Sequence, residues 1–238
     1  MKIALIGYGK MGKTIEDLAL QAGHEVVLKV GSQNLEDLTR RNLRQADVAI
    51  EFSRPESAFN NIVLCLEAGV PVVCGTTAWL DRLEEAKAIC RNKKGALLYA
   101  SNFSVGVNIF FAVNRHLAAI MHDQPQYDIK VEETHHTQKL DAPSGTAITL
   151  VEDILELMYR KNKWVREHST EADEIPIVSK RIENVPGTHE VIYQSSIDSI
   201  TIRHTAHSRE GFAKGALVAA QWIIGKQGFF GMRDVLGF

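Results

Sequence analysis

The chain has little sulfur with which to cross-link itself. Its three cysteines, Cys65, Cys74 and Cys90, are odd in number and include no Cys-x-x-Cys pair. A disulfide framework is therefore excluded, a reducing compartment is implied, and the three thiols read as buried packing residues. An excess of charge is lacking too. The formal net charge is −2, so no global basic field exists to hold nucleic acid, and any cationic site must be local. No apolar run approaches the ~20 residues of a membrane span, and the opening Lys-Ile-Ala-Leu-Ile is a strand pattern rather than a signal peptide. No internal repeat or low-complexity segment is visible. These absences leave a folded cytoplasmic protein with no nucleic-acid or membrane partner. Its 238 residues, 45% of them hydrophobic, suffice for one large or two modest domains.

Periodicity then divides the chain. Ile3 to Ile6 is an apolar run, followed by Gly7-Tyr8-Gly9-Lys10-Met11-Gly12 and by helical spacing from Thr14 to Ala22, closed by Gly23. A second strand, Val26 to Val30, leads into a polar stretch with Asn34, Arg40, Arg41 and Arg44. Strand Val48 to Phe52, helix Ser57 to Ala68, strand Val70 to Val73, helix Asp81 to Arg91 and strand Ala96 to Ala100 continue the alternation. Such alternation predicts a parallel sheet covered on both faces. Beyond Asn102 the pattern changes. A long apolar helix, Asn108 to Met121, precedes an alternating run from Tyr127 to Glu132. A helix from Thr146 to Tyr159 follows, then three β-like runs at Ile177 to Ile182, His189 to Gln194 and Ser199 to His204. The last helix, Phe212 to Gly225, and the tail have no sheet of their own and are expected to return to the first domain. The prediction is an α/β chain. A Rossmann-like dinucleotide domain, 1–105 and 210–238, carries an inserted α+β domain with a mixed sheet, 106–209, for substrate binding and oligomerisation.

The glycine turn has the context that gives Gly-x-Gly-x-x-Gly a mechanism, because it leaves a strand and opens a helix. Gly7 permits the tight turn, Gly9 lets the backbone approach a pyrophosphate, and Gly12 lets the helix sit close on the sheet. The acidic residue that takes the ribose hydroxyls of NAD is expected ~20 positions further on. Here that region reads Gly31-Ser32-Gln33-Asn34, with Lys29 and the later arginines in the vicinity. The expectation is use of either NADPH or NADH, leaning to NADPH. Gly75-Thr76-Thr77 and Ser101-Asn102-Phe103-Ser104 follow the fourth and fifth strands, at the sheet edge where ligands of parallel sheets bind.

The chemical centre is 133 to 147, Glu-Thr-His-His-Thr-Gln-Lys-Leu-Asp-Ala-Pro-Ser-Gly-Thr-Ala. His135, His136 and Lys139 can donate protons. Ser144, Gly145 and Thr146 open a helix and would present backbone N–H groups to an anion, which points to a carboxylate-bearing substrate. A metal is not expected, because adjacent histidines on a strand face opposite ways and no ligand set at metal spacing accompanies them. A plainer reading ends a strand at His135-His136 and leaves Lys139 on a surface loop. The nearby Lys139, the Asp-Ala-Pro turn and the Ser-Gly-Thr helix start weigh against it.

His135-His136-x-x-Lys139-x-Asp141-Ala142-Pro143-Ser144-Gly145-Thr146 resembles the motif of the 4-hydroxy-tetrahydrodipicolinate (dihydrodipicolinate) reductase family. The glycine turn, Ala46 to Ser53, Gly75 to Thr77, Ser101 to Asn108 and Met232 to Leu236 resemble family segments in the same order. The resemblance implies reduction of a cyclic dicarboxylate imine by a nicotinamide coenzyme with loss of water, in the diaminopimelate route to lysine. It implies His135 as proton donor or acceptor, Lys139 as proton donor, and His136, Gly145 and Thr146 as substrate contacts. It places the coenzyme on Gly7 to Gly12, on Gly75 to Thr77, and on Ala100, Ser101, Asn102 and Phe103, and it implies a homotetramer built through the inserted sheets. Arg203, His204 and Arg209 are assigned to assembly or ordinary surface, and Glu51, where aspartate is more usual, to structure. Two rival classes stay open, another Rossmann reductase and a non-catalytic dinucleotide sensor; the sensor has no use for Lys139 beside His135 at an anion-binding helix start.

Overall fold

A computed structural model describes residues 1–208 and 210–238; Arg209 lies outside the described residues. The chain divides into two compact units, Met1–Val105 with Glu210–Phe238, and Gly106–Arg209.

The first unit is built on β1 (Lys2–Ile6), β2 (Glu25–Val30), β3 (Val48–Glu51), β4 (Val72–Cys74) and β5 (Ala96–Tyr99), with α1 (Lys10–Gln21), α2 (Arg40–Leu43), α3 (Pro55–Ala68) and α4 (Leu83–Asn92) between them. Apart from β2, whose Glu25 and Lys29 are exposed, the strands are short, mostly apolar and largely buried on both faces, as suits a parallel sheet. Ala4, Ile6, Ala49, Val72 and Leu97 pack on one side against Ala58, Ile62 and Leu66 of α3 and Ala86 of α4. Ile3, Leu5, Val48, Ile50, Val73 and Leu98 pack on the other against Ile15 and Ala19 of α1. The polar stretch after β2 holds the single-turn helix α2, which the sequence pattern did not signal.

In the second unit, α5 (Val105–Met121), which begins at the boundary, and α6 (Gly145–Leu157) cover one face of a mixed sheet. Its strands are β6 (Asp128–His135), β7 (Lys163–Arg166), β8 (Glu174–Arg181), β9 (Gly187–Gln194) and β10 (Ser199–Ala206), in the order β10-β9-β6-β8-β7. Strand β6 runs antiparallel to β9 and parallel to β8. Strand β7 was not anticipated, because Lys163-Trp164-Val165-Arg166 is short and charged at both ends. Residues alternate along β6, with Ile129 and Val131 inward and Lys130 and Glu132 half-exposed. Phe110 and Met121 of α5 and Leu150, Val151 and Ile154 of α6 close the core over Val191 and Tyr193. Arg115 on α5 fastens the two helices by pairing with Asp153 at 2.6 Å and Glu156 at 2.7 Å.

The chain then returns to the first unit as α7 (Glu210–Ile223). Ala213, Ala216, Ala219 and Ala220 let it lie close on the sheet face that holds Ile3 and Leu5. The tail was expected to bring no strand. Gly228–Phe230 instead forms β11 and pairs in parallel with β5, before α8 (Met232–Leu236), giving a six-stranded parallel sheet in the order β11-β5-β4-β3-β1-β2. Among the described residues no helix is long and apolar enough to cross a membrane.

Candidate active site

The order of the first sheet reverses at β1, whose neighbours are β2 on one side and β3 on the other. Ligands of open parallel sheets bind outside the strand ends at such a point. Gly7 follows β1 with φ of +95°, and its N–H and that of Tyr8 both donate to the Val30 carbonyl at 2.9 Å. A Cβ on Gly7 would stand 2.0 Å from the Phe52 carbonyl oxygen, and one on Gly12 would stand 2.5 Å from that of Gly7, so neither position admits a side chain. Gly9 differs: nothing lies within 4 Å of where its Cβ would be, it is the N-cap of α1, and no side chain caps that helix. A bare helix start beside a glycine backbone is the chemistry that receives a pyrophosphate. On this ground the residues present fit a dinucleotide.

The other nominated coenzyme residues divide into exposed and buried. Lys10, Thr77 and Ser101 are exposed. Thr76 is buried and committed inward, its hydroxyl accepting from the Ser53 N–H at 2.8 Å and its carbonyl from the Trp79 indole at 2.7 Å. Phe103 is buried with its ring 5.6 Å from that of Phe52, while Tyr8, Met11 and Ala100 are half-buried against the sheet. Glu51 lies beneath these loops. It accepts from the Ser53 hydroxyl, from Asn61 at 3.2 Å and from the Cys74 thiol at 3.1 Å. Burial and then the Glu51 carboxylate push the Cys74 thiol far up, so it is a packing group and not a nucleophile.

Two features around β2 differ from expectation. Lys29, counted as charge toward a coenzyme phosphate, pairs with Glu16 at 3.1 Å, and Arg40 pairs with Glu67. The loop after β2 is also not remote from acid. Asn34 closes it by accepting from the Gly31 N–H at 2.8 Å, and the same side chain donates to Asp37 at 2.8 Å.

In the second unit the core face of β6 changes character along its length. Ile129 and Val131 give way to Glu133 and His135 on the same face, and all four are buried. Register places His189 of β9 and Ser179 of β8 on either side of Glu133, and Arg181 beside His135. The sequence reading missed Glu133, His189, Ser179 and Arg181. Their signal was present as a period of two, Ile129-Val131-Glu133-His135 and Tyr193-Val191-His189, in which polar residues continue an apolar face.

Glu133 is fully buried and joins the group. Its two oxygens accept from the Ser144 N–H at 3.1 and 3.0 Å, one accepts from the Ser179 hydroxyl at 2.8 Å, and the Arg181 guanidinium stands 3.4 Å away. The His135 and His189 Nε2 atoms lie 3.5 and 3.7 Å from the other oxygen and 3.3 Å from each other. Burial works against the Glu133 charge, but the hydrogen bonds from His135, Ser144 and Ser179 outweigh it and hold the carboxyl well below its usual range. Burial, and then the neighbouring His135, pull His189 down to about 4, which makes it a neutral imidazole at pH 7. Glu133, His135 and His189 bring one potential metal donor each within 4.8 Å of one another, a set that the sequence spacing concealed. The carboxylate is already occupied by N–H and O–H donors and faces the Arg181 cation, which disfavours a second cation there.

Ser144 is the N-cap of α6. Its hydroxyl accepts from the Ala147 N–H at 3.2 Å and lies 3.1 Å from His189 Nε2. The expectation that all three residues of Ser144-Gly145-Thr146 offer N–H groups to an anion needs correcting, because that of Ser144 is held by Glu133. Gly145 stands in the open, with nothing within 4 Å of where its Cβ would be, and Thr146 is half-exposed beside it. The Ala142–Pro143 peptide that precedes the cap is cis. Lys139 pairs with Asp141 at 2.8 Å, a partner not foreseen, and Arg181 binds the Lys139 and Asp141 carbonyls at 3.3 and 2.6 Å. His136 lines a cavity of about 560 Å³ together with Thr137, Gln138, Asn184, Pro186 and Ser208. Its buried Nδ1 has no hydrogen-bond partner among the described residues. Arg203 pairs across the strands with Glu190 at 2.5 Å, and His204 lies 6.0 Å from the Phe110 ring.

A parallel sheet with a glycine turn opening its first helix, joined to a unit with a buried carboxylate–histidine cluster, has the build of a Rossmann-type oxidoreductase. Known proteins give the particular family. Residues 1–103 match the model described as dihydrodipicolinate reductase, N-terminus, and residues 106–236 that described as dihydrodipicolinate reductase, C-terminus. The chain is 51% identical to the 4-hydroxy-tetrahydrodipicolinate reductase of Christiangramia forsetii, over 99% of its own length and 98% of the relative's. It is 37% identical to the enzyme of that name from Neisseria meningitidis serogroup A, over 93% and 84%. Among solved structures, the dipicolinate-bound dihydrodipicolinate reductase of Paenisporosarcina sp. TG-14 shares the fold with a TM-score of 0.76, at 23% identity over 97% of each chain. An amine dehydrogenase from Mycobacterium smegmatis does so with a TM-score of 0.62, at 10% identity over 97% and 94%. The chain belongs to the 4-hydroxy-tetrahydrodipicolinate (dihydrodipicolinate) reductase family and is an oxidoreductase of the diaminopimelate route to lysine.

Proposed function

We propose that the chain reduces 4-hydroxy-tetrahydrodipicolinate to tetrahydrodipicolinate, with His135 and Lys139 handling protons and His136, Gly145 and Thr146 holding the substrate. One observation carries the assignment of roles. His135 is fastened on a buried carboxylate that also grips Ser144 at the start of α6, so the proton-handling group and the anion-binding helix start share an anchor. Gly7, Gly9 and Gly12, with Gly75 to Thr77 and Ala100 to Phe103, would hold a reduced nicotinamide coenzyme, which would supply the hydride. Electron density left on the conjugated imine needs a proton, and the Lys139 ammonium is the donor. His135 accepts or returns a proton as water is lost. The Gly145 and Thr146 N–H groups at the helix start, and His136 in its cavity, bind the substrate carboxylates. Ser144 acts on the substrate only through the cap it forms.

Coenzyme choice follows from the loop after β2. No acidic side chain stands at Gly31 to Asn34, which permits a 2′-phosphate, but Lys29 and Arg40 are paired elsewhere and do not select for one. Use of both NADPH and NADH is therefore favoured over a strong NADPH preference. The enzyme is further proposed to be a cytoplasmic homotetramer.

Purified protein given fresh substrate is expected to oxidise both coenzymes with kcat/KM values within about tenfold of each other, a gap under ~1.4 kcal/mol. Lys139→Ala should lower kcat by roughly 10² to 10⁴ while leaving coenzyme affinity unchanged. Wild-type protein without activity would remove the functional assignment. A fully active Lys139→Ala would remove the role of Lys139.

A further inference from the structure

The buried polar groups of β6, β8, β9 and α6 carry one step beyond this reading, and that step rests on His135 being the proton-handling imidazole. We infer that Glu133 is a positioning residue that fixes which nitrogen of His135 carries the proton and, through the same carboxylate, where α6 begins. Donors surround Glu133 unevenly. Ser144, Ser179 and Arg181 present N–H or O–H groups to one oxygen, and the Ser144 N–H reaches the second as well, so the carboxylate has no freedom to turn. The second oxygen faces the Nε2 atoms of His135 and His189.

The proton positions follow from the donors available. Ser144 Oγ accepts from the Ala147 N–H and still has its own proton to give; we assign that proton to His189 Nε2, 3.1 Å away, because this leaves the imidazole nearer to Glu133, His135 at 3.5 Å, as the donor to the carboxylate. His189 Nε2 is then an acceptor, and the ring keeps its proton on Nδ1. With His189 Nε2 accepting, His135 Nε2, which faces both it and the Glu133 carboxylate, is the donor. The Nδ1 atom of His135 is consequently the basic nitrogen, and it lies on the side of Gly187. The other charged groups facing the cluster, Arg181, Lys139 and Asp141, are tied to one another through the Arg181 guanidinium and the Lys139–Asp141 pair. They hold the rim and offer no competing acceptor to His135 Nε2.

Glu133→Gln tests this sharply. The amide oxygen can still accept from Ser144, Ser179 and Arg181, whereas its NH₂ then faces the imidazoles and forces His135 Nε2 to accept. The helix start is kept and the tautomer is inverted. We expect kcat to fall by about 10²-fold with the substrate KM changed less than threefold and coenzyme affinity unchanged, as when the partner that orients a reactive group is lost. Glu133→Asp, with the carboxylate retained on a shorter stem, should recover part of the loss. Long-range ¹⁵N–¹H spectra of the wild-type protein, with His135→Ala and His189→Gln used for assignment, should show His135 protonated on Nε2 and His189 on Nδ1; Glu133→Gln should move the His135 proton to Nδ1. The opposite wild-type tautomers, or a Glu133→Gln enzyme with wild-type kcat, would overturn the inference even if the variant proved hard to fold, since the wild-type spectra stand alone. An active His135→Ala enzyme would instead defeat the functional reading beneath it.

Discussion

At the scale of single residues, the role proposed for His135 requires its imidazole to be held in one place. Glu133 and His189 hold its Nε2 side, and Gly187 leaves room on the other. A Cβ at Gly187 would stand 2.9 Å from the His135 ring carbon Cε1 and 3.2 Å from Nδ1. The Gly187 backbone is not in the left-handed region, so alanine fits the strand and only the imidazole must give way. Gly187→Ala should therefore reduce kcat by roughly 10-fold to 10²-fold, with coenzyme affinity unchanged, because a misplaced proton carrier loses its attack geometry. Steady-state rates beside coenzyme titrations check this. His189 makes a second prediction, about stability. The unfolded chain protonates this imidazole below its ordinary value of 6.5, the folded chain only below about 4. Between those values the unfolded state binds more protons, so stability falls as the pH drops through the window, by at most about 3 kcal/mol, and is level above it. His189→Gln should flatten that fall, which urea midpoints at pH 7 and pH 5 will measure.

At the scale of elements, the start of α6 is where fold and function meet. Ser144 caps the helix and touches His189, and Glu133 holds its N–H from the neighbouring strand. Ser144→Ala removes the cap and leaves His189 Nε2 without its hydroxyl, so a loss of about 2 kcal/mol is expected in urea unfolding. Ser144→Thr should retain most of it. The sequence made this helix start legible, because Ser-Gly-Thr after Pro143 is a capping pattern. It did not reveal that the Ser144 N–H is occupied. That donor is taken by a residue eleven positions earlier, on a strand whose pairing no local pattern specifies. Likewise β11 was invisible, since Gly228-Phe229-Phe230 is three residues long and is a strand only because β5 offers it an edge.

At the scale of the whole molecule, each unit closes its own core, and the polar residues of greatest chemical interest lie at strand ends, at helix starts and in the loop between β6 and α6. The outer strand β10 leaves Ile200 and the nearby Ile197 exposed, and its Arg203 is paired within the sheet with Glu190. Apolar side chains on an edge strand favour a partner. Light scattering coupled to gel filtration should give about four times the 26.5 kDa chain mass, and Ile200→Lys should shift it toward smaller species. A monomeric wild type would exclude the tetramer.

The alternation of strand and helix, the glycine turn and the His-His-Lys segment can be read from the chain alone, because backbone periodicity and turn chemistry are local and are written in consecutive residues. Even the resemblance to a reductase family rests on such contiguous motifs. Most of the partners emerge only from the folded chain. Lys29 went to Glu16, Lys139 to Asp141, and Glu133 came to stand among His135, His189, Ser179 and Arg181. The Glu133 contacts follow from strand register and from the cost of leaving a buried charge without donors, and neither is set until residues 46 and 56 positions apart in the chain lie side by side; the Lys139–Asp141 pair, by contrast, is made within one loop.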